Sequence, residues 1–492
     1  MENNLQEGWI QIPFTDLLDI QGGTQPPKNT FKYEPTKGYI RLLQIRDFGE
    51  KPIPTFIKER PQLKTCETDD ILIARYGASI GRIVTGMTGA YNVALAKVII
   101  PKVLNKNFIK YLLKSEIFQR PILSIQRSAQ DGFNKDDLAE IEVPIPPLPE
   151  QERIVIKLDT ALQKVASNKQ RLEKTHHLLK QFRQSVLATA MSGKLTEEWR
   201  ECNDKIDNAE VLLSKLHKAR INKYKKECEA AIKNKTRKPQ LPKGINEAFE
   251  YEILEPYEIP DTWSWTVLDK MSTVALGGTP SRKIDSYWNG NINWVSSGEV
   301  ANNKIGNTVE KITAEGLANS NTKIYPKGTV LLAMIGEGKT RGQVSVLNIE
   351  ATTNQNVAGL LLSNDFICSE YVWLFLLSRY ESLRTDGLGG AQPALNAERV
   401  GQTFIAIPPL EEQQEIVRKV EKLFAFSDKL EARYAKAKTM IDKLPQSILA
   451  KAFRGELVPQ DPNDEPASVL LERIKKEKEK MSVEKKKRKE KV

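Results

Sequence analysis

Two stretches of the chain carry apolar positions spaced alternately four and three residues apart. One runs Ile154, Leu158, Ala161, Val165, Asn168, Leu172, Thr175, Leu179, Phe182 and Val186. The other runs Ile416, Val420, Leu423, Ser427, Leu430, Tyr434, Ala437, Ile441, Leu444 and Ile448. This is the a/d stripe of a coiled coil, held for about five heptads. Gly193 and Gly455 then supply left-handed helix stops. The rest alternates differently. Residues 39–46, 71–75, 82–84 and 94–100 are short β-type runs bounded by Gly, Pro and Asp, and residues 141–145 are a further strand. Residues 107–114 have helical spacing with an Asn start signal.

The two stripes are copies. Ile145-Pro-Pro-Leu-Pro-Glu-Gln151 recurs as Ile407-Pro-Pro-Leu-Glu-Glu-Gln413, displaced by 407 − 145 = 262 residues. At the same offset Gln130 matches Gln392 and Asn134 matches Asn396, and residues 185–193 match 447–455. Upstream the match loosens. Gly22-Gly23-Thr24 resembles Gly277-Gly278-Thr279, each behind a tryptophan, Trp9 or Trp265. The expected fold is therefore an α/β (α+β) tandem repeat: two mixed α/β domains joined by two long coiled-coil helices. Antiparallel helices related by a pseudo-twofold axis are expected. The polar positions Asn168, Thr175 and Ser427 are expected to fix their register. The expected boundaries are a globular domain at 1–149, a helix at 150–195, a charged connector at 196–250, a second globular domain at 251–410, a helix at 411–458 and a basic tail at 459–492.

Charge changes this picture less than its total suggests. The net +11 points to nucleic acid. Yet residues 213–243 hold eleven Lys/Arg against two Glu, and residues 473–492 eleven against four. These segments carry +9 and +7, so the remainder is 11 − 16 = −5. Binding by the globular domains must therefore use local patches. The connector is expected to be solvated and partly helical, and the tail a frayed basic helix. For both, solubility and non-specific phosphate contact remain open.

Chemistry is sparse. Four scattered cysteines and three histidines (His176, His177, His217) make no zinc pattern, so no metal and no cofactor is expected. The N-terminus lacks a signal pattern and the longest apolar run, 371–377, is too short to span a membrane, so a cytoplasmic protein with reduced thiols is expected. Gly336-Glu-Gly-Lys-Thr340 lacks the first glycine of a phosphate loop, where Ala333 stands, and a strand follows it. The three Pro-Pro pairs are followed by Lys28, Leu148 and Leu410, so none is the Asn/Asp-Pro-Pro-Tyr/Phe loop of an adenine methyltransferase. No catalytic residue is nominated.

Taken together, the paired Ile-Pro-Pro-Leu-x-Glu-Gln stretches, the Gln130/Asn134 and Gln392/Asn396 loops before them and the long helices after them resemble the DNA-specificity subunit of type I restriction–modification enzymes. The resemblance covers nearly the whole chain. It implies a non-catalytic subunit with two target-recognition domains, each reading half of a split double-stranded DNA site. It also implies an antiparallel helical spacer that docks methyltransferase (modification) subunits, two of them, and separate restriction subunits. Rival readings are a two-headed scaffold without DNA function and a stand-alone DNA-modifying enzyme. Candidate DNA contacts are Arg46, Arg75, Tyr76, Arg82 and Lys135 in the first globular domain, and Ser296, Ser297, Lys304, Lys339, Arg341 and Gln343 in the second. Gln130, Asn134, Gln392 and Asn396 read instead as structural loop ties, since they match across otherwise divergent domains.

Overall fold

A computed structural model describes residues 5–125, 132–245, 257–336, 339–385 and 395–489. The chain forms two compact units, residues 1–174 with 434–492 and residues 175–433. In the first unit, strand β1 (Ile10–Pro13) leads through the one-turn helix α1 (Phe14–Leu17) to β2 (Asp19–Gly22) and β3 (Tyr39–Leu43). Strands β4 (Phe56–Lys58), β5 (Thr65–Cys66), β6 (Leu72–Ala74), β7 (Ile83–Val84), β8 (Gly89–Tyr91) and β9 (Leu95–Ile99) follow. Helices α2 (Lys106–Lys114), α3 (Glu116–Ile125) and α4 (Lys135–Ala139) then precede β10 (Glu142–Ile145). Asn105, not Asn107, caps α2: its side chain accepts from the amides of Asn107 and Phe108. The strands make two four-stranded sheets, β2-β9-β6-β7 and β4-β3-β8-β5, and a separate β1–β10 pair. In the second sheet β3 and β8 run parallel.

From β10 the chain enters α5 (Leu148–Met191), then the short α6 (Glu197–Glu201) and α7 (Ala209–Lys233). The second unit repeats the plan of the first. It holds β11 (Ser264–Val267), α8 (Leu268–Met271), β12 (Ser272–Leu276), β13 (Trp288–Val295), β14 (Lys304–Ile305) and β15 (Glu310–Ile312). After α9 (Ala314–Ala318) come β16 (Val330–Ala333), β17 (Val344–Leu347), β18 (Thr352–Thr353) and β19 (Val357–Leu362). Then come α10 (Ser369–Ser378), α11 (Tyr380–Thr385), α12 (Ala397–Gly401) and β20 (Phe404–Ile407). The sheets are β12-β19-β16-β17-β14, β15-β13-β18 with β13 and β18 parallel, and the β11–β20 pair. The chain closes with α13 (Leu410–Phe453) and α14 (Ala467–Lys489).

The long helices are antiparallel, as expected. In the first unit Lys169 pairs with Asp442 at 2.8 Å, and in the second Arg183 pairs with Asp428. Both index sums, 169 + 442 and 183 + 428, equal 611, as antiparallel neighbours require. In the first unit Ile154, Val155 and Leu158 share one core with Leu449, Ala452 and Phe453. In the second, Val186, Leu187, Ala190 and Met191 share one with Ile416 and Val420. The seam departs from the expected stripe at several positions. Asn168, Thr175 and Leu444 are exposed, while Ser427 is fully buried with its hydroxyl unpartnered. Beyond Pro445, inward positions move to Ile448, Leu449, Ala452 and Phe453, because that end packs on a globular core as well as on a helix.

The repeat register upstream also needs correction. Ile10 faces Ile145 and Ser264 faces Ile407, so β1 and β11 correspond at an offset of 264 − 10 = 254. Trp9 therefore corresponds to Trp263, not Trp265, and Gly23, not Gly22, to Gly277. Gly23 and Gly277 do the same job: a Cβ there would lie 2.2 Å from the Asn92 carbonyl oxygen or 2.1 Å from that of Thr353.

Candidate nucleic-acid interface

The repeated motif builds the frame beneath each candidate surface. In the first unit the Trp9 indole donates to Glu150 at 3.0 Å, and in the second Trp263 donates to Glu412 at 2.9 Å. The next residue ties the turn. Gln151 donates to the Pro146 carbonyl at 3.0 Å and accepts from the Asn105 amide at 3.2 Å. Gln413 does the same with Pro408 at 2.9 Å and the Cys368 amide at 2.8 Å. All four motif side chains are buried. Burial without partners would cost each of these groups, so the motif's Glu and Gln are fixed by the hydrogen bonds they complete.

Two loops of each globular domain carry most of the candidate residues, and they are the same two loops. The β6–β7 hairpin holds Arg75, Tyr76 and Arg82, and the turn after β3 holds Arg46. Arg82 donates to the Phe48 carbonyl at 2.6 Å, which joins the hairpin to that turn. Arg46 is exposed and reaches the Thr55 hydroxyl at 3.3 Å. Arg75 donates twice to the Phe133 carbonyl, at 3.2 and 3.1 Å, and lies 5.2 Å from the Tyr76 ring centre. Gly132, at φ +74°, permits this closeness, since a Cβ there would fall 2.2 Å from the Arg75 carbonyl oxygen. Lys135, two residues past Phe133, pairs with Asp19 at 2.7 Å.

In the second unit the β16–β17 hairpin holds Lys339, Arg341 and Gln343, and the turn after β13 holds Ser296 and Ser297. Ser296 closes a capping box with Glu299, and Ser297 accepts from Asn354 at 3.5 Å. Lys304 lies apart from the hairpin tip, paired at 2.6 Å with Glu421 of α13. Arg341 donates to the Arg384 carbonyl at 3.0 Å. Lys339 is exposed, and with Gln343 it lines a cleft of about 1320 Å³ bounded by Lys180, Arg183, Arg379, Arg384, Trp373 and Phe424. The first unit has its counterpart, a cleft of about 430 Å³ lined by Arg82, Tyr111, Lys114, Gln119 and Leu162. Tyr111 and Trp373, like Leu162 and Phe424, are 262 apart, so the two clefts are equivalent places of unequal size. Lys114, Lys180, Arg183 and Arg384 are cleft cations that sit on helices. A sequence reading confined to loops misses them.

Asn134 caps α4, accepting from the Asp136 and Asp137 amides at 2.7 and 3.1 Å. Asn396 caps α12 through the Arg399 amide at 2.9 Å. Gln130 and Gln392 lie outside the described residues. Among the described residues no cluster of three or more His, Cys, Asp or Glu side chains would hold a metal, and no helix is long and apolar enough to cross a membrane. Burial pushes the Cys66 and Cys368 thiols up to about 11, which makes them poor nucleophiles.

Two helices that read as charged accessories are in fact docked, and they are a further repeat. Ala209-Glu-Val-Leu-Leu213 corresponds to Ala467-Ser-Val-Leu-Leu471 at an offset of 467 − 209 = 258. The Ala209 amide donates to Thr262 O and the Ala467 amide to Gly8 O, both at 2.9 Å. Leu216 and Ile474 are buried. Arg220 donates to the carbonyls of Asp269 (2.7 Å) and Ser272 (2.9 Å) at the end of α8. Lys478 donates to those of Thr15 (2.9 Å) and Asp16 (2.8 Å) in α1. Cations suit helix carbonyls in the last turn. Burial lowers the pKa of both cations, the cost of seating them there. Thus α7 is solvated over much of its length but docked through its first part, to Arg220, and α14 is docked at its start.

The comparisons with known proteins agree with this duplicated plan. The chain is 29% identical over 451 residues to the type I restriction enzyme EcoDI specificity subunit of Escherichia coli, covering 87% of this chain and 89% of that one. The solved HsdS subunit from Thermoanaerobacter tengcongensis covers 92% of this chain and 98% of its own, with TM-score 0.54 and 17% identity. A chain from a structure titled for complex assembly and conformational transition of the type I R-M system matches with TM-score 0.64 at 17% identity, covering 92% and 99%. At such identities these two structures speak for the fold. The family described as "Type I restriction modification DNA specificity domain" matches twice, at residues 6–176 and 260–438. With most of its length in those two matches, the chain belongs to the type I restriction–modification DNA-specificity family.

Proposed function

We propose that this chain is the non-catalytic, DNA-reading subunit of a cytoplasmic type I restriction–modification complex. Its two globular domains, residues 1–149 and 251–410, each read one half of a split, asymmetric double-stranded site. Methyltransferase subunits, two per chain, and restriction subunits supply the chemistry. The observation that carries this reading is the pair of equivalent loops with unlike side chains. Arg46, Arg75, Tyr76 and Arg82 occupy in one unit the place that Ser296, Ser297, Lys339, Arg341 and Gln343 occupy in the other. A reader of two identical half-sites would keep those side chains alike. Arginine grips guanine O6 and N7 with two bonds, and glutamine does so on adenine N6 and N7. The frame below them is held constant, so sequence choice and fold are separable.

The helices at 150–195 and 411–458 serve in this reading as a spacer that also receives the partners. Large apolar side chains stand exposed on them: Leu178 at 61% and Met440 at 59% in equivalent positions, with Ile156 at 68% and Phe426 at 57%. Each is apolar surface that a docked partner would remove from water. The test is footprinting of the chain assembled with its methyltransferase subunits. A protected site in two short blocks with an indifferent gap is expected. Protection without sequence preference would favour a scaffold, and methyl transfer or cleavage by the purified chain alone would overturn the non-catalytic assignment.

A further inference from the structure

The duplicated helices α7 and α14 are each docked through their first part, and in α7 exposed lysines dominate the rest. In α7 the docked half ends at Arg220. Past it Lys223 is exposed, although it stands one heptad after buried Leu216. Lys218, Lys225, Lys226 and Lys233 are exposed as well. None of these five is in an ion pair among the described residues, whereas Lys215, nearer the helix start, is held by Asp207 at 2.7 Å. In α14 the same order recurs. Arg473 is held by Glu465 at 2.8 Å, Lys478 is the anchor, and a Lys-rich run follows in the sequence. Asp207–Lys215 and Glu465–Arg473 are themselves 258 apart, so anchor, buried face and fixing ion pair are all duplicated.

We propose that α7 and α14 are a matched pair of anchored basic arms that grip the phosphate backbone of double-stranded DNA, apart from the base-reading loops. The proposal rests on the DNA-reading assignment above. Composition favours phosphate over a protein partner. Residues 213–243 hold nine lysines and two arginines, with Tyr224 their one aromatic residue. Protein interfaces are depleted in lysine and enriched in aromatic residues, whereas lysine serves phosphate well as a point charge. The rest of the chain outside the two basic segments is net −5, so its long-range attraction for DNA is concentrated in these arms. Anchoring matters because an arm fixed by Arg220 or Lys478 loses less entropy on binding than a disordered tail.

The test uses the full chain assembled with its methyltransferase subunits. The quadruple variant K218Q/K225Q/K226Q/K233Q leaves Leu216, Arg220 and both hairpins untouched. Binding is measured against salt for a duplex bearing the methylated site and for a scrambled duplex. Each lysine on a phosphate contributes about 0.9 to the log–log salt slope, so the slope should fall by up to ~3.6. Affinity for both duplexes should fall by the same factor, with base preference unchanged. An unchanged slope overturns the proposal. Loss of partner subunits from the variant with an unchanged slope overturns it in favour of a protein-docking arm. If the unmodified complex itself shows no preference for any sequence, the DNA-reading assignment fails first and the arms fall with it.

Discussion

The two copies of the Trp–Glu pair show how one frame is completed in different ways. In the second unit Glu412 accepts from Trp263, from the Thr196 hydroxyl at 2.6 Å and from Arg200 at 2.5 Å. In the first, Glu150 accepts from Trp9, and its other oxygen is buried without a hydrogen-bond partner. The cause lies in the segment after each long helix. Thr196 and Arg200 correspond, at offset 262, to Val458 and Pro462, which offer no side-chain donor. Instead Arg153, one turn along α5, lies near Glu150 while holding Asp464 at 2.6 Å. Burial pushes the Glu150 carboxyl up, against the pull of Trp9 and Arg153. The same fold thus tolerates a complete buried network or a partial one, and the cost of breaking each should differ.

The largest difference is expected from Glu412→Gln against Glu150→Gln. The first leaves Arg200, whose side chain is 18% exposed, without its carboxylate, at a cost of about 3 kcal/mol. Denaturant unfolding, with hydrogen exchange read separately in residues 1–174 and 175–433, should place that loss in the second unit. Equal losses in both units would break the comparison.

The helix stops come next. Gly193 and Gly455 are left-handed, at φ +77° and +73°, and each meets the start of a globular domain. A Cβ at Gly193 would lie 2.5 Å from the rigid Pro260 ring, and one at Gly455 2.4 Å from the movable Gln6 side chain. Gly193→Ala should therefore cost about 2–3 kcal/mol and Gly455→Ala about 1–2 kcal/mol, read as midpoint shifts in the same assay. Arg220→Ala should cost about 2 kcal/mol by freeing the carbonyls of Asp269 and Ser272, and Arg220→Lys under about 1 kcal/mol, because Lys478 already does this job in the first unit.

Glu150→Gln should have the smallest effect, within about 1 kcal/mol of neutral and in the stabilising direction at pH 7. The sign follows from linkage. A carboxyl whose folded pKa is raised loses its proton first in the unfolded chain, so its charge costs stability once pH passes the ordinary carboxyl range. The cost is complete above the folded pKa. The difference between wild type and variant should therefore shrink as pH falls to that range. A difference that grows on acidification would contradict the burial of an under-partnered carboxyl.

Much of this was legible in the sequence because it is periodic. The constant offset of 262 exposed the frame motif and both long helices, the a/d stripes their pairing, and the start of each helix at the end of its own globular part their antiparallel direction. What escaped had local reasons. Trp263 and Trp265 are two residues apart, and only the strand register and the hydrogen bond to Glu412 tell which one is the frame residue. Asn168 and Thr175 keep the spacing, yet both stand exposed, and spacing alone does not tell a seam position from a solvent-facing one. The Ala-x-Val-Leu-Leu copies stood in plain view, but at offset 258 and within charge-rich surroundings that read as solvated. Partners of candidate side chains, such as Glu421 for Lys304 and Asp19 for Lys135, lie far along the chain and leave no local mark. The Ser296–Glu299 capping box did leave one, a Ser three residues before a Glu.

The central claim, that two independent readers are held apart by a helical ruler, is tested most directly by mapping methylated sites for two variants of the assembled complex. One carries an extra heptad in each of α5 and α13, which keeps the stripe and adds ~10 Å at ~1.5 Å per residue. That is about 3 base pairs of DNA at ~3.4 Å each, and nearly a third of a turn. The other carries a foreign second globular domain between β11 and β20. The first variant should keep both half-sites and change the gap or lose affinity. The second should change one half-site and keep the gap. Altered half-site bases with an unaltered gap in the heptad variant would contradict the claim.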